Sequence, residues 1–192
     1  KRGFNHGNAG RSPWFDCACC PSNIARLIPQ IPGMIYSQTD KDIFCGLYAG
    51  SNVEINLADT KVKLDQKTGY PFDGNISIQV DPEKEGSEFT LWVRIPTWTS
   101  DRFIPGELYR YADRQKTSAN VKVNGQRVRI AAVDGYIPLK RSWNTGDTVE
   151  IELDMPVRYN IADERVEADI DRVCITRGPI LYCAEEPDNK EN

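Results

Sequence analysis

Three cysteines fall within four residues, in the run Cys17-Ala18-Cys19-Cys20-Pro21. Adjacent cysteines do not readily join in a strain-free disulfide, but both can reach one ion if the backbone turns between them. Zinc takes four ligands from Cys, His, Asp or Glu in tetrahedral geometry. Two or three thiolates here would leave at least one ligand to come from elsewhere. The run therefore predicts a metal or reactive-thiol site, in which Cys17 is interpreted as a packed thiol.

The residues that follow the cysteines predict a short helix. Apolar residues at i, i+3 and i+4 within residues 22–28 line one face over about two turns. Pro21 suits the first turn, with Cys20 or Ser22 as the cap. Two prolines then weaken the helix, and Gly33 closes it. Unpaired N–H groups at a helix start and a bound metal both favour the thiolate, the nucleophilic form of cysteine.

Beyond Gly33 the sequence is typical of a β protein. Short candidate strands at fairly regular spacing predict a sandwich or jelly-roll. Asn124-Gly125 is the strongest two-residue hairpin signal, and residues 39–42 predict another turn. Residues 102–119 break the pattern and are predicted to form a long loop. The candidate strands are 34–37, 43–48, 51–57, 60–66, 75–81, 88–95, 120–123, 127–130, 136–141, 148–155 and 172–182.

Composition excludes some partners. The chain has 192 residues and a net charge of −4, which argues against nucleic acid, since that partner favours a basic patch. Its Lys and Arg residues are scattered, so no anionic membrane surface is implied. No stretch approaches the roughly 18 apolar residues that span a bilayer. The opening resembles a loop more than a natural start, and we expect the chain to begin within a longer protein.

The remaining candidates have ordinary structural interpretations beside functional ones. Cys45, Cys174 and Cys183 lie in apolar, strand-like contexts, which predicts buried free thiols. His6 is interpreted as a solvated loop residue, and Trp14 either packs on a sugar ring or seals a domain junction. Four aromatic residues could form a carbohydrate-stacking platform, although the alternating pattern favours the core for most of them. They are Trp92, Trp98, Trp143 and Tyr136.

The stretch around the cysteines resembles the signature of glycoside hydrolase family 127, the β-L-arabinofuranosidases and their relatives. The resemblance is colinear over nearly the whole chain and is much more specific than the cysteine run alone. The residues that carry it are 14–27, 34–36, 93–98, 135–139, 143–147, 155–158 and 177–182.

This resemblance implies a mechanism. Members have an (α/α)6 barrel followed by β-sandwich domains, and they hydrolyse with retention of configuration. It implies that Cys19 is the nucleophile and that Cys19 and Cys20 are zinc ligands. The other ligands, a Glu and a Cys, and the general acid/base Glu would come from the barrel. Residues 1–16 contain neither Glu nor Cys, so the zinc site is expected to be incomplete in this chain.

The prediction is therefore a mainly β chain, a β-sandwich or jelly-roll, with one short helix left from the end of a barrel that is otherwise absent. Residues 1–33 hold a loop, the cysteine motif and the helix, residues 34–160 the sandwich, and residues 161–192 the start of a further β segment and a charged tail. The expected partners are an L-arabinofuranose-containing or related plant glycan and the missing amino-terminal barrel, with no nucleic acid and no membrane.

The predicted function is that of a fragment of a retaining β-L-arabinofuranosidase-like enzyme, inactive alone because the acid/base Glu is missing. Retaining hydrolysis needs a nucleophile and a proton donor on opposite sides of the scissile bond. Two alternatives remain open. One is a non-catalytic carbohydrate-binding or structural β-sandwich, and the other is a structural zinc or thiol module.

Overall fold

The computed structural model describes residues 19–184 apart from residues 102, 114, 116 and 130. The predictions for His6, Trp14 and Cys17 lie outside the described residues. In the described part of the chain, no helix is both long and apolar enough to cross a membrane.

The predicted helix is present, but its predicted bounds were wrong at both ends. Helix α1 (Cys19–Leu27) is followed by a 3-10 turn (Ile28–Gln30) and by helix α2 (Pro32–Ile35). The helical backbone continues past Gly33 because each proline occupies the first turn of a new element, where its missing N–H is not needed. Residues 34 and 35, predicted as strand, are therefore helical.

Fourteen strands follow within the described residues. They are β1 (Tyr36–Gln38), β2 (Asp42–Cys45), β3 (Ser51–Asn56), β4 (Lys61–Thr68), β5 (Asn75–Pro82), β6 (Ser87–Arg94), β7 (Tyr109–Tyr111), β8 (Ala119–Val123), β9 (Gln126–Arg127), β10 (Tyr136–Trp143), β11 (Asp147–Leu153), β12 (Val157–Ala162), β13 (Cys174–Arg177) and β14 (Ile180–Tyr182). The first sheet has the order β1-β2-β6-β10, the second β3-β4-β5-β11-β8-β9 and the third β14-β13-β12-β7. The mainly β prediction is confirmed.

The first two sheets share one hydrophobic core and form the sandwich. Strand β5 alternates exposed and buried residues along its length, and strands β6 and β11 follow the same two-residue period. Trp143 is fully buried, its ring stacks on Phe89 with centroids 5.6 Å apart, and its Nε1 donates to the Phe89 carbonyl at 3.1 Å. Each sheet thus covers the apolar face of the other.

Strand β2 pairs in parallel with β6, whereas the other strand pairs are antiparallel. The chain leaves the first sheet after β2, builds β3, β4 and β5 in the second sheet, and returns as β6. This crossover links the two halves of the sandwich.

The predicted hairpin at Asn124-Gly125 is confirmed. Both residues have positive φ, 51° and 74°, and Val123 pairs with Gln126 across them. Positive φ at both central residues is the geometry of a type I′ turn, whose twist matches that of the flanking strands. The predicted turn at residues 39–42 also forms, and the Thr39 N–H donates to the Asp42 carbonyl at 2.9 Å.

The third sheet differs most from the prediction. Strand β7 lies inside the predicted loop at 102–119, strand β12 was not predicted, and the predicted strand at 172–182 is two strands joined at Gly178, where φ is +57°. In β12 the buried residues are Arg158 and Asn160, while Val157 and Tyr159 are exposed. Because the polar residues are buried and the apolar ones exposed, the hydrophobic pattern does not predict this strand.

The predicted burial of three thiols holds for one of them. Cys45 is buried in the sandwich, and burial raises the pKa of its thiol to about 12. Cys174 and Cys183 are exposed, so the prediction for them was wrong. Their sequence context is apolar, but Cys174 lies in the third sheet and Cys183 directly follows it, outside the shared core of the sandwich.

Candidate functional site

Cys19 and Cys20 are the first two residues of α1, and both side chains are exposed. Their Sγ atoms are 3.7 Å apart. The Ser22 hydroxyl donates to the Cys19 carbonyl at 3.1 Å, within the first turn of the helix. The structure thus presents two adjacent exposed thiols in the first described turn of α1.

The separation of the two sulfurs allows a test for metal binding. Zinc–sulfur bonds of about 2.3 Å at a tetrahedral angle place two sulfur ligands about 3.8 Å apart. The observed 3.7 Å agrees with this distance and is far longer than a disulfide bond. Among the described residues, no group of three or more His, Cys, Asp or Glu side chains is arranged to hold a metal. Cys19 and Cys20 therefore fit two positions of a four-coordinate site.

The helical segment that carries the thiols exposes its apolar face. Helix α1 buries none of its residues, and Ile24, Leu27 and Ile28 are 55%, 51% and 59% exposed. Met34, in the following helix, is 50% exposed. An amphipathic helix with an open apolar stripe is built to pack against another element.

The segment joins the sandwich through α2 and β1. Ile35 is buried, and its carbonyl accepts from the Gly46 N–H at 2.9 Å. Next along the chain, the Tyr36 hydroxyl accepts from Gln66 Nε2 at 2.8 Å and lies 3.2 Å from the Ser51 hydroxyl. Burial raises the pKa of Tyr36 to about 12, although these two hydrogen bonds oppose the shift. The polar contacts hold the point at which the helical segment meets the sheets.

The four predicted platform residues do not share one surface. Trp143 lies in the core, and Trp98 donates through Nε1 to the Tyr70 hydroxyl at 3.3 Å. Trp92 and Tyr136 are half-buried and both contact Phe44.

Phe44, Trp92 and Tyr136 form an aromatic cluster on the outer face of the first sheet. The Phe44 and Trp92 rings stack 5.4 Å apart at 12°, and Tyr136 meets Phe44 edge-on at 5.8 Å. Trp92 Nε1 donates to Asp42 Oδ1 at 3.0 Å, and this hydrogen bond holds the pKa of Asp42 below its usual range. Sequence reasoning missed Phe44, since only the parallel register of β2 and β6 brings it opposite Trp92.

Comparison with known proteins decides the family. Residues 42–155 match the family model of the β-L-arabinofuranosidase GH127 middle domain, and residues 157–192 match that of the glycoside hydrolase family 127 C-terminal domain. The chain belongs to glycoside hydrolase family 127. The resemblance seen in the sequence motifs is thereby confirmed, and the family is one of glycoside hydrolases.

Relatives in family 127 match almost the whole chain. A non-reducing end β-L-arabinofuranosidase of Bifidobacterium longum subsp. longum is 32% identical over 191 residues, covering 96% of this chain and 26% of the relative. The crystal structure of a GH127 β-L-arabinofuranosidase from Geobacillus stearothermophilus T6 is 39% identical with a TM-score of 0.80, covering 97% of this chain and 27% of that chain.

The structure of another GH127 β-arabinofuranosidase is 45% identical with a TM-score of 0.86, covering 95% of this chain and 28% of that chain. The present chain therefore spans about a quarter of the length of the relatives it matches. Within the present chain, the matched residues include the sandwich and nearly all of the residues outside it.

Proposed function

We propose that this chain supplies the nucleophile and two zinc ligands of a retaining β-L-arabinofuranosidase of family 127. Cys19 attacks the anomeric carbon, and Cys19 and Cys20 ligate the metal. The observation that carries the proposal is the pair of exposed thiols at the start of α1, 3.7 Å apart. The names of the relatives support arabinofuranose as the sugar.

The chemistry assigned to the chain's own residues is nucleophilic. The Cys19 thiolate donates an electron pair to the anomeric carbon, and the C–O bond to the leaving group breaks while the acid/base carboxyl group of the barrel gives that oxygen a proton. Zinc, when bound, would keep both thiols deprotonated. In a retaining enzyme water then hydrolyses the covalent intermediate, assisted by the acid/base carboxyl group.

The rest of the site is proposed to lie in a helical barrel of the same protein. No third metal ligand joins Cys19 and Cys20 among the described residues, and the chain spans about a quarter of the length of its relatives. The open apolar stripe of α1 is a suitable surface for that barrel. The isolated chain is then inactive, because it lacks the proton donor. The division at residues 33 and 160 stays a prediction.

An assay on an aryl β-L-arabinofuranoside tests this function. We expect no turnover by the isolated chain and turnover by the enzyme that also contains the barrel. In that enzyme Cys19→Ser is expected to lower kcat by at least about a thousandfold, and Cys20→Ser to lower the bound zinc measured by elemental analysis. Cys174→Ser is the matched control, because its thiol is also exposed but lies in the third sheet.

Turnover by the chain alone, or full activity of Cys19→Ser, would contradict the assignment. Normal zinc content in Cys20→Ser would remove that residue from the ligand set while leaving the nucleophile untouched.

A second candidate function is non-catalytic carbohydrate binding, and the aromatic cluster Phe44, Trp92 and Tyr136 favours it. Half-buried rings can stack on a sugar, and the neighbouring Asp42 carboxylate can accept from its hydroxyls. A glycan array tests it on the isolated chain. Binding that survives Cys19→Ser and is lost in Trp92→Ala supports this function, and equal binding by both variants contradicts it.

A further inference from the structure

Cys174 and Cys183 lie at the open end of the β13–β14 hairpin, one residue beyond the last strand pair, Ile175 with Tyr182. Both are exposed free thiols. Cys174 is the first residue of β13, and Cys183 directly follows the last residue of β14. The register, continued by one residue, places these two cysteines opposite each other. The pairs that define it are Arg177 with Ile180, Thr176 with Leu181, and Ile175 with Tyr182.

The turn between β13 and β14 determines whether facing positions of the hairpin are hydrogen-bonded or non-hydrogen-bonded. Gly178 and Pro179 are the two loop residues, and Gly178 has a φ of +57°. Glycine with positive φ at the first loop position and proline at the second suit a type II′ turn. In a two-residue hairpin the closing pair is hydrogen-bonded, and the kinds of pair alternate from there. If the register continues by one residue past Ile175 and Tyr182, Cys174 and Cys183 lie three steps beyond the closing pair, at a non-hydrogen-bonded position.

A non-hydrogen-bonded position suits a disulfide. Facing residues there have Cα atoms about 4.5 Å apart and side chains on the same face. A disulfide needs a Cα separation of about 4.4–6.8 Å. The other described thiols lack this arrangement, since Cys19 and Cys20 are adjacent in one helix and Cys45 is buried in the core.

We propose that Cys174 and Cys183 are a redox-active pair that forms an intramolecular cross-strand disulfide. The oxidant is a low-molecular-weight disulfide such as oxidised glutathione. One thiolate attacks a glutathione sulfur, and the first glutathione leaves. The second protein thiolate then attacks the mixed disulfide, and the second glutathione leaves. Two protein thiols are oxidised, one glutathione disulfide is reduced to two thiols, and the two protons end on glutathione.

The proposed Cys174–Cys183 disulfide would hold the edge strand of the third sheet. Strand β14 is the outermost strand of that sheet and pairs with β13 over three residues. A covalent link at the open end complements the turn at the other end, so the hairpin is closed on both sides. This role is independent of the proposed hydrolysis, because it uses neither Cys19 nor Cys20.

The test uses the chain with Cys17, Cys19 and Cys20 replaced by serine, so that Cys174, Cys183 and the buried Cys45 remain. After incubation with oxidised glutathione, we expect an intact mass lower by two hydrogens, with no glutathione adduct. Peptide mapping should join Cys174 to Cys183. In the same background, Cys174→Ser and Cys183→Ser are each expected to retain one glutathione on the remaining exposed cysteine.

Stable adducts on both cysteines of the unsubstituted pair, or two unreacted thiols, would overturn the proposal. The folded hairpin should also close faster than the unfolded chain, since the strands hold the thiols together. We expect the second, intramolecular step to be on the order of tenfold faster in buffer than in denaturing urea. Equal rates in the two solutions would show that the fold does not bring the pair together.

Discussion

The strands of the sandwich and strand β12 of the third sheet both alternate buried and exposed residues, but they place opposite residue types at the buried positions. In the sandwich most of the buried positions hold apolar residues, as with Leu91, which is fully buried, and Gln66 and Asp147 are the polar exceptions among the described strands. In β12 the buried positions hold Arg158 and Asn160, while Val157 and Tyr159 are 52% and 49% exposed. The sandwich supplies both halves of its own core, whereas the third sheet leaves apolar side chains uncovered in the described part of the chain.

The polar interior of the third sheet depends on one cation. Arg158 Nη2 contacts Asp113 Oδ1 at 2.8 Å, and the guanidinium lies 3.4 Å from the centre of the Tyr111 ring. Partial burial works against ionisation of Asp113, but hydrogen bonds from the Gln115 N–H and Arg158 hold the pKa of that carboxyl below its usual range. Desolvation offsets much of the attraction in a buried ion pair, so we expect this sheet to be less stable than the sandwich.

Leucine truncation should show the largest contrast between the two regions. Leu91 in β6 is fully buried, and Leu181 in β14 is 64% exposed. Leu91→Ala is expected to lower the free energy of unfolding by about 2–5 kcal/mol because it leaves a cavity. Leu181→Ala should change it by less than about 0.5 kcal/mol. Urea denaturation of both variants measures the difference, and a similar loss from Leu181→Ala would mean that the third sheet is as tightly packed as the sandwich.

The hairpin glycines give the next contrast. A Cβ on Gly125 would meet no atom within 4 Å, so Gly125→Ala carries only the cost of positive φ, about 1 kcal/mol. A Cβ on Gly178 would collide with the Met155 side chain. Even so, Gly178→Ala is expected to leave the main unfolding transition within about 0.5 kcal/mol and to speed amide exchange in β13 and β14.

Chemical denaturation and hydrogen exchange on the two alanine variants separate these outcomes. If Gly178→Ala destabilised the main transition more than Gly125→Ala, the third sheet would unfold together with the sandwich rather than before it.

The smallest effect concerns the outer face of the first sheet. Trp92→Phe keeps a ring over Phe44 but removes the N–H that Asp42 accepts. The pKa of Asp42 should rise toward its usual value of about 3.9. Because the pKa of Asp42 is lower in the folded state, its ionisation stabilises the fold at pH values above the pKa of the unfolded chain. This stabilisation is lost as the pH falls through the pKa of the folded state. The variant should thus be less stable by under about 1 kcal/mol near pH 6, with the difference shrinking below about pH 4.

Carboxyl NMR titration and denaturation at the two pH values check this expectation. Trp98→Phe is the control, because its N–H donates to the Tyr70 hydroxyl instead. An unchanged pKa of Asp42 in Trp92→Phe would show that the indole N–H does not set it.

Features encoded locally could be predicted from the sequence. The hairpin at Asn124-Gly125 depends on two residues that tolerate positive φ. The spacing of the cysteines predicts a metal or reactive-thiol site, the family resemblance singles out Cys19 and Cys20, and the apolar period predicts the helix behind them. Strand β12 escaped prediction because Arg158 and Asn160 occupy its buried positions.

Features that depend on distant partners could not be predicted. Burial of Cys45 and exposure of Cys174 follow from which sheet each joins, although both have apolar neighbours in sequence. The contact of Phe44 with Trp92 depends on a parallel register between strands far apart in the chain. Likewise, the separation of the Cys19 and Cys20 sulfur atoms depends on side-chain rotamers, which no sequence pattern specifies.

The parallel pairing of β2 with β6 sets an order of assembly during synthesis. Strand β2 lacks its parallel partner until β3, β4 and β5 have been made, and β5 and β8 both wait for β11. Contacts between distant segments make folding slow, since long loops must close before any pairing is gained. A nascent chain therefore cannot complete the second sheet, or the core that it shares with the first, until residue 153 has been synthesised. We expect that interval to be when the protein is most prone to aggregate.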